Sequence, residues 1–170
     1  GITGTSLPDG AGWFKPVYTG TFRFADFNGD GRLDFLLHTA SSIAVALSTG
    51  TGFLTPLYGP AWTSANGWAR IEQYATIRVA DIDGNGKADL CGRSATGVEC
   101  WLWDGTGLKT QITGPAWSDA AGWNVAERYM TLRVADVNGD GRSDLCARGA
   151  AGLECHLSTG SGFGDVWTIP

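Results

Sequence analysis

Hydrophobic and polar positions in this chain alternate in short bursts, and nowhere do they hold a helical period. The run Thr76-Ile77-Arg78-Val79-Ala80 alternates apolar and non-apolar residues, as a strand with one buried face does. An acidic, glycine-containing loop follows, then a second predicted strand, Asp89-Leu90-Cys91-Gly92-Arg93. A turn around Ala95 to Gly97 leads into a third, Val98-Glu99-Cys100-Trp101-Leu102-Trp103. Beyond Gly105-Thr106-Gly107 a weaker fourth strand is predicted near Leu108 to Ile112, followed by a loop that carries Trp117.

The whole pattern recurs at an offset of 55 residues without insertion or deletion. Asp26-Phe27-Asn28-Gly29-Asp30-Gly31-Arg32-Leu33-Asp34 returns as the loop 81–89 and again as the loop 136–144. The same offset relates Gly12-Trp13, Gly67-Trp68 and Gly122-Trp123, and also Arg23, Arg78 and Arg133. Four short antiparallel strands in a repeat of this length predict one blade of a β-propeller. The expected architecture is therefore all-β, a single domain over 1–170 made of three four-stranded repeats at approximately 11–65, 66–120 and 121–170. Residues 1–10 are expected to form a preceding or closing strand. Propellers close with about 4–8 blades, so three belong to a larger ring, either within a longer chain or through association of copies. Two copies would supply six blades.

Composition narrows the function. The chain has 26 Gly and 8 Trp, which suits tight turns between strands and large apolar plates between blades. Its 17 acidic residues outweigh 12 basic ones for a formal charge of −5, and this excludes the basic footprint of a nucleic-acid binder. No apolar run approaches the roughly 20 residues that span a bilayer, and no charged-then-apolar leader opens the sequence.

The acidic loops carry the strongest chemical signal. Each places oxygen-bearing residues at positions 1, 3, 5 and 9: Asp26, Asn28, Asp30 and Asp34; Asp81, Asp83, Asn85 and Asp89; Asp136, Asn138, Asp140 and Asp144. Alternate residues on a glycine-bent loop can converge on a hard cation that wants six to eight oxygens, with the position-7 residues Arg32, Lys87 and Arg142 giving backbone carbonyls. An EF-hand is excluded, because Leu37, Gly92 and Ala147 stand where its bidentate Glu is required. Three Ca²⁺ ions, one per repeat, are the expectation, and acidic turns without metal are the alternative.

Cys91 and Cys100 are nine residues apart, and Cys146 and Cys155 repeat that spacing one repeat later. The repeat favours Cys91–Cys100 and Cys146–Cys155 disulfides over other connectivities, with buried free thiols as the alternative. Repeat 1 has Leu36 and Val45 in the same slot. Disulfides with calcium loops imply an oxidising compartment, so a secreted protein whose signal peptide is already removed is expected. Catalysis would need a constellation that breaks the repeat. The two histidines, His38 and His156, occupy non-equivalent positions outside any recognisable catalytic motif, and no enzyme activity is expected.

The three loops, each followed by Asp-Leu or Asp-Phe and a hairpin, resemble the FG-GAP/VCBS repeats of integrin-α-like β-propellers. A second run, Asp119-Ala120-Ala121-Gly122-Trp123 with Glu127-Arg128-Tyr129 and Leu132-Arg133-Val134-Ala135-Asp136, is similar to the Psathyrella-type fungal propeller lectins. That resemblance implies sugar pockets between consecutive blades, N-acetylglucosamine-type ligands and calcium in the loops. The matching residues are Trp68, Glu72 and Tyr74 in repeat 2 and Trp123, Glu127 and Tyr129 in repeat 3. Repeat 1 keeps Trp13 but has Val17 and Thr19 in place of the acidic and aromatic residues, and Tyr replaces the family's His. Trp68 and Trp123 are open to two readings, a ligand-facing plate or an inter-blade wedge, and Glu72 and Glu127 are either ligand contacts or solvated or ion-paired carboxylates. Trp62 and Trp117, matched by Leu7, read as core. Arg78 and Arg133 are expected to satisfy carboxylates of a neighbouring blade. The leading expectation is a calcium-stabilised, lectin-like module that binds N-acetylhexosamine-type glycans. An integrin-like module binding an extracellular protein, or a scaffold domain of a larger secreted protein, is the alternative.

Overall fold

A computed structural model of the chain describes residues 15–170. Leu7, Gly12, Trp13 and the strand expected from residues 1–10 lie outside them. Each repeat opens with a single helical turn and continues into four strands. The first contains α1 (Pro16–Thr19), β1 (Arg23–Ala25), β2 (Asp34–His38), β3 (Ile43–Ala46) and β4 (Leu57–Tyr58). The second contains α2 (Ile71–Tyr74), β5 (Arg78–Ala80), β6 (Asp89–Arg93), β7 (Val98–Trp103) and β8 (Leu108–Thr113). The third contains α3 (Ala126–Tyr129), β9 (Arg133–Ala135), β10 (Asp144–Arg148), β11 (Leu153–Ser158) and β12 (Phe163–Ile169). Consecutive strands pair antiparallel, so each repeat forms a self-contained four-stranded sheet and no strand crosses between sheets. These are three propeller blades, with β1 lying against β5 and β5 against β9.

The predicted strand 76–80 is shorter than expected, running only over Arg78–Ala80. Thr76 is taken by a turn instead: its hydroxyl donates to Gln73 O at 2.6 Å, closing α2, and accepts from the Arg93 N–H at 2.8 Å. Thr21 and Thr131 make the same pair of bonds in the other repeats. Each helical turn is thereby tied to the second strand of its own blade.

The apolar residues collect in two cores, and each lies between blades. Phe27, Leu36, Ile43, Val45 and Trp62 of the first blade meet Trp68, Ile77, Leu90, Trp103 and Leu108 of the second. Ile82, Cys91, Val98, Cys100 and Trp117 of the second meet Trp123, Leu132 and Leu145 of the third. β6 is buried along its whole length because it has a neighbouring blade on each face. Cys91 sits directly opposite Cys100, and Cys146 opposite Cys155, at Cα separations of 4.1 and 4.0 Å, and both pairs form disulfides. Leu36 faces Val45 in the same register, so the first blade fills this slot with an apolar pair.

Between the first and second blades Trp62 and Trp68 stack at 3.7 Å with an interplanar angle of 8°. Gly92 permits this approach, since a Cβ there would lie 2.7 Å from Trp68 Cη2 and 2.8 Å from Trp62 Cη2. Ala147 holds the equivalent place beside Trp117 and Trp123, whose rings stand further apart at 4.6 Å. Gly92→Ala should therefore spread the Trp62–Trp68 pair and cost about 1–3 kcal/mol, as overpacking does. Urea unfolding followed by tryptophan fluorescence would show this as a lowered midpoint with an unchanged slope. An unchanged midpoint would mean that the stack tolerates the methyl group.

Candidate functional site

Two depressions repeat one another at the offset of 55 residues. The first, about 340 Å³, is lined by Asn66, Trp68, Ser94, Glu99, Trp101 and Gln111 together with the Trp62 loop. The second, about 450 Å³, is lined by the corresponding Ala121, Trp123, Gly149 and Glu154, with Arg128 and Thr168. The carboxylate comes from the strand after the hairpin turn, where period-2 alternation turns Glu99 and Glu154 away from the disulfide face. Gln111 Nε2 donates to Glu99 Oε2 at 2.7 Å and Trp101 Nε1 at 3.4 Å. Burial pushes the Glu99 carboxyl up, opposed by hydrogen bonds from these side chains. Trp62 Nε1–H also feels this carboxylate, but its geometry falls short of a hydrogen bond and the buried donor has no partner. A half-buried carboxylate with a spare donor beside it can read hydroxyl groups. The first repeat has Ala44 where Glu99 and Glu154 stand, so it lacks the acid.

The residues singled out by resemblance are placed differently from one another. Trp68 is 2% and Trp123 6% exposed, and each gives a ring face to its stacking partner, so both border the depressions while packed in the core. Arg128 lies over the Trp123 ring at 5.9 Å and donates to Ala121 O and Gly122 O. Tyr129 is buried and Tyr74 packs against the first core. Glu72 is ion-paired with Arg70. Glu127 is exposed and, among the described residues, makes no hydrogen bond or ion pair. Trp62 and Trp117 are buried. Sequence reasoning passed over Glu99 and Glu154, whose recurrence at the repeat offset was the available signal.

The acidic loops share one framework. The first Asp of each loop accepts three backbone N–H groups: Asp26 from Gly29, Asp30 and Gly31; Asp81 from Gly84, Asn85 and Gly86; Asp136 from Gly139, Asp140 and Gly141. The two glycines of each loop have positive φ, between 77° and 85°, a region closed to most side chains. The last Asp is fully buried and clamps the loop to its blade. Asp89 accepts from Ile82 N at 2.8 Å and from Trp103 N at 2.8 Å, and Asp34 and Asp144 repeat both bonds. In the second loop carboxylate oxygens of Asp81, Asp83 and Asp89 lie within 4.8 Å of one another, an all-oxygen set that fits a hard divalent cation. In the first and third loops Asp30 and Asp140 are instead engaged by the guanidinium groups of Arg32 and Arg142. Burial, reinforced by nearby Asp83, pushes Asp89 up to about 7 despite its backbone bonds.

Among the described residues the repeated arginines do not meet carboxylates. Arg23 Nε donates to Ile77 O and Arg78 Nε to Leu132 O, each at 3.0 Å and each across a blade junction. Their Nη1 atoms, like that of Arg133, donate to carbonyls of their own blade. The expectation of carboxylate partners is corrected: carbonyls of the short segments between each helical turn and its first strand satisfy the guanidinium groups. Arg23, Arg78 and Arg133 line one open depression, and burial together with the other two cations lowers Arg78 to about 10.

The profile of the FG-GAP-like repeat matches residues 26–92 and 81–147, two overlapping windows set one repeat apart. The chain belongs to the FG-GAP repeat family. No curated protein sequence matches it. Among solved structures, FG-GAP repeats of this chain superpose on an Agrocybe aegerita lectin that specifically recognises non-reducing terminal N-acetylglucosamine, with a TM-score of 0.74 and 26% identity over 86% of this chain. They also superpose on the Photorhabdus luminescens Tc holotoxin pore with a TM-score of 0.62 and 24% identity over 99% of the chain, a likeness of fold alone. The chain spans 37% of the lectin and 8% of the toxin chain.

A carboxyl group raised on folding contributes stability that is full below its unfolded value near 3.9 and lost as pH climbs through about 7. In excess chelator the melting temperature should fall as pH rises from about 4 through about 7 on account of Asp89, and millimolar Ca²⁺ should flatten that fall by neutralising the Asp81–Asp83–Asp89 group. A pH profile identical with and without Ca²⁺ would contradict this.

Proposed function

We propose that this FG-GAP chain is a calcium-stabilised, carbohydrate-binding propeller module that takes terminal N-acetylhexosamine residues in the depressions between its blades. The observation that carries the reading is the recurrence of one depression at two junctions, each with indole at its edge, Trp62 and Trp68 in one and Trp123 in the other, and a carboxylate at its side, Glu99 in one and Glu154 in the other. Likeness to a lectin that recognises terminal N-acetylglucosamine supports the sugar class. The module is a binding protein, not an enzyme. Its two disulfides fit an oxidising compartment, and we take the protein to be secreted. Among the described residues no helix is long and apolar enough to cross a membrane.

Glu99 and Glu154, rather than Glu72 and Glu127, are the carboxylates assigned to the ligand, since they line the depressions. A glycan array in Ca²⁺ should show N-acetylhexosamine-terminated glycans, and titration calorimetry with the best of them should give two sites per chain. Glu154→Gln should weaken its site by roughly 10- to 100-fold, the value of one charge-assisted hydrogen bond, and leave the melting temperature near wild type. A blank array from folded, calcium-loaded protein would shift the reading to an ancillary scaffold or protein-binding domain. Occurrence of the same fold within the much longer holotoxin chain suits that second reading.

Calcium in this reading is a structural ligand. At a free concentration of 100 times Kd it adds about 2.7 kcal/mol. For a chain of this size, that is roughly 5–10 °C in melting temperature. Chelation should remove that increment, and Ca²⁺ should restore it more effectively than Mg²⁺, which prefers strict octahedral geometry. An unchanged melt in chelator would count against the metal.

A further inference from the structure

In a chain of net charge −5, three cations converge where no acid answers them. The first strands of the blades lie side by side, β1 against β5 and β5 against β9, and each begins with an arginine. Arg23, Arg78 and Arg133 line one open depression of about 460 Å³, and Ala75 and Met130 complete its wall. That lining holds no carboxylate, and among the described residues none of the three arginines has an ion pair. Elsewhere the chain supplies acids to its arginines readily: Asp30 to Arg32, Glu72 to Arg70, Asp119 to Arg93 and Asp140 to Arg142. Burial, with Arg23 and Arg133 nearby, brings Arg78 down to about 10, and at neutral pH it still carries its charge.

The donors left over have a definite pattern. In Arg23 and Arg78, Nε is spent on a carbonyl of the next blade and Nη1 on carbonyls of its own. Arg133 spends Nη1 in the same way, on Met130 O and Leu132 O. Among the described residues the Nη2 groups of all three, and Nε of Arg133, make no hydrogen bond. Those of Arg23 and Arg78 reach solvent although the two side chains are partly buried. Backbone carbonyls hold each guanidinium in place, so these N–H groups are oriented before a ligand arrives.

We infer that this depression binds one tetrahedral dianion, a sulfate or phosphate group, through the spare N–H groups of Arg23, Arg78 and Arg133. The donor pattern chooses the ion. A carboxylate is best held by the two-pronged edge of a single guanidinium. Arg23 and Arg78 have lost a prong from both edges to the backbone, and only Arg133 keeps one edge whole. One fork and two single donors, from three separate side chains, suit an ion with at least three oxygens and more than one negative charge. Its charge also offsets the mutual repulsion of the arginines, which a neutral sugar leaves in place. The site stands apart from the depressions lined by Trp and Glu and does not rest on the sugar reading.

Equilibrium dialysis of the folded chain against radiolabelled sulfate, at constant ionic strength in chloride, tests this. The wild type should bind one sulfate per chain. Arg133 is the most exposed of the three and makes no bond between blades among the described residues, so circular dichroism should show Arg133→Gln folded. Its affinity for sulfate should fall roughly 10- to 100-fold, the value of one charge-assisted hydrogen bond. Arg133→Lys, which keeps the charge and loses the fork, should fall between that variant and wild type. Inorganic phosphate should displace the label and acetate should not. Glucose 6-sulfate separates the two sources of the group: displacement as strong as by inorganic sulfate assigns the site to an ester on a larger molecule, and no displacement assigns it to the free ion. Absence of saturable binding by folded wild type at millimolar sulfate would overturn the inference. So would binding that Arg133→Gln leaves unchanged, or displacement by acetate at the same concentration as phosphate.

Discussion

A four-stranded sheet has two faces, and in this chain the large apolar cores that cover them are built between blades. Everything else follows from that constraint. Both apolar cores lie at blade junctions, so the unit that folds is a pair of neighbouring faces and not a blade. β6, the second strand of the middle blade, is wholly buried with a blade on each face, whereas Leu153 and Trp167 of the third blade stand in solvent. The strongest local devices serve this arrangement. Buried Asp34, Asp89 and Asp144 clamp each acidic loop against its blade, and the Asp26 and Asp81 carbonyls in those loops then reach across to the next blade.

The same constraint accounts for where binding chemistry can sit. Strand interiors are consumed by packing, and the carboxylates of the acidic loops are committed to backbone hydrogen bonds and to the cation set of Asp81, Asp83 and Asp89. What remains for a neutral ligand is the rim where the Trp loop of one blade meets the hairpin of the next. There the pleat presents Glu99 and Glu154 outward, and the stacked indoles supply a rigid edge. The indoles themselves are structural. Gly92 lets Trp62 and Trp68 close to contact distance, and a plate sealed in this way offers a ligand its rim and not its face.

The repeat made most of the architecture legible. Three loops in register predict three blades, and the offset favours pairing Cys91 with Cys100 and Cys146 with Cys155, as the structure has them. The helical turns at Pro16–Thr19, Ile71–Tyr74 and Ala126–Tyr129 escaped because four residues span barely one helical period and leave no pattern to detect. Glu99 and Glu154 escaped for a different reason: each sits between an apolar residue and a cysteine, and the run reads as core until the alternation of faces is followed residue by residue. The arginines show a harder limit. Their recurrence reveals a cation at each inner strand, but its partners are carbonyl oxygens, and every residue has one of those whatever its side chain.

Each sheet finishes within its own 55 residues, and β4, β8 and β12 stay with the blades that produced them. A propeller fastened by a borrowed strand couples its two termini, so that gain or loss of a repeat strands one edge. Among the described residues every sheet is complete without a strand from another repeat. A whole repeat can be duplicated or deleted in the gene with no sheet left short, and the number of blades becomes a matter of how many wedges fill the circle. The period that governs packing is thus also the natural unit of inheritance.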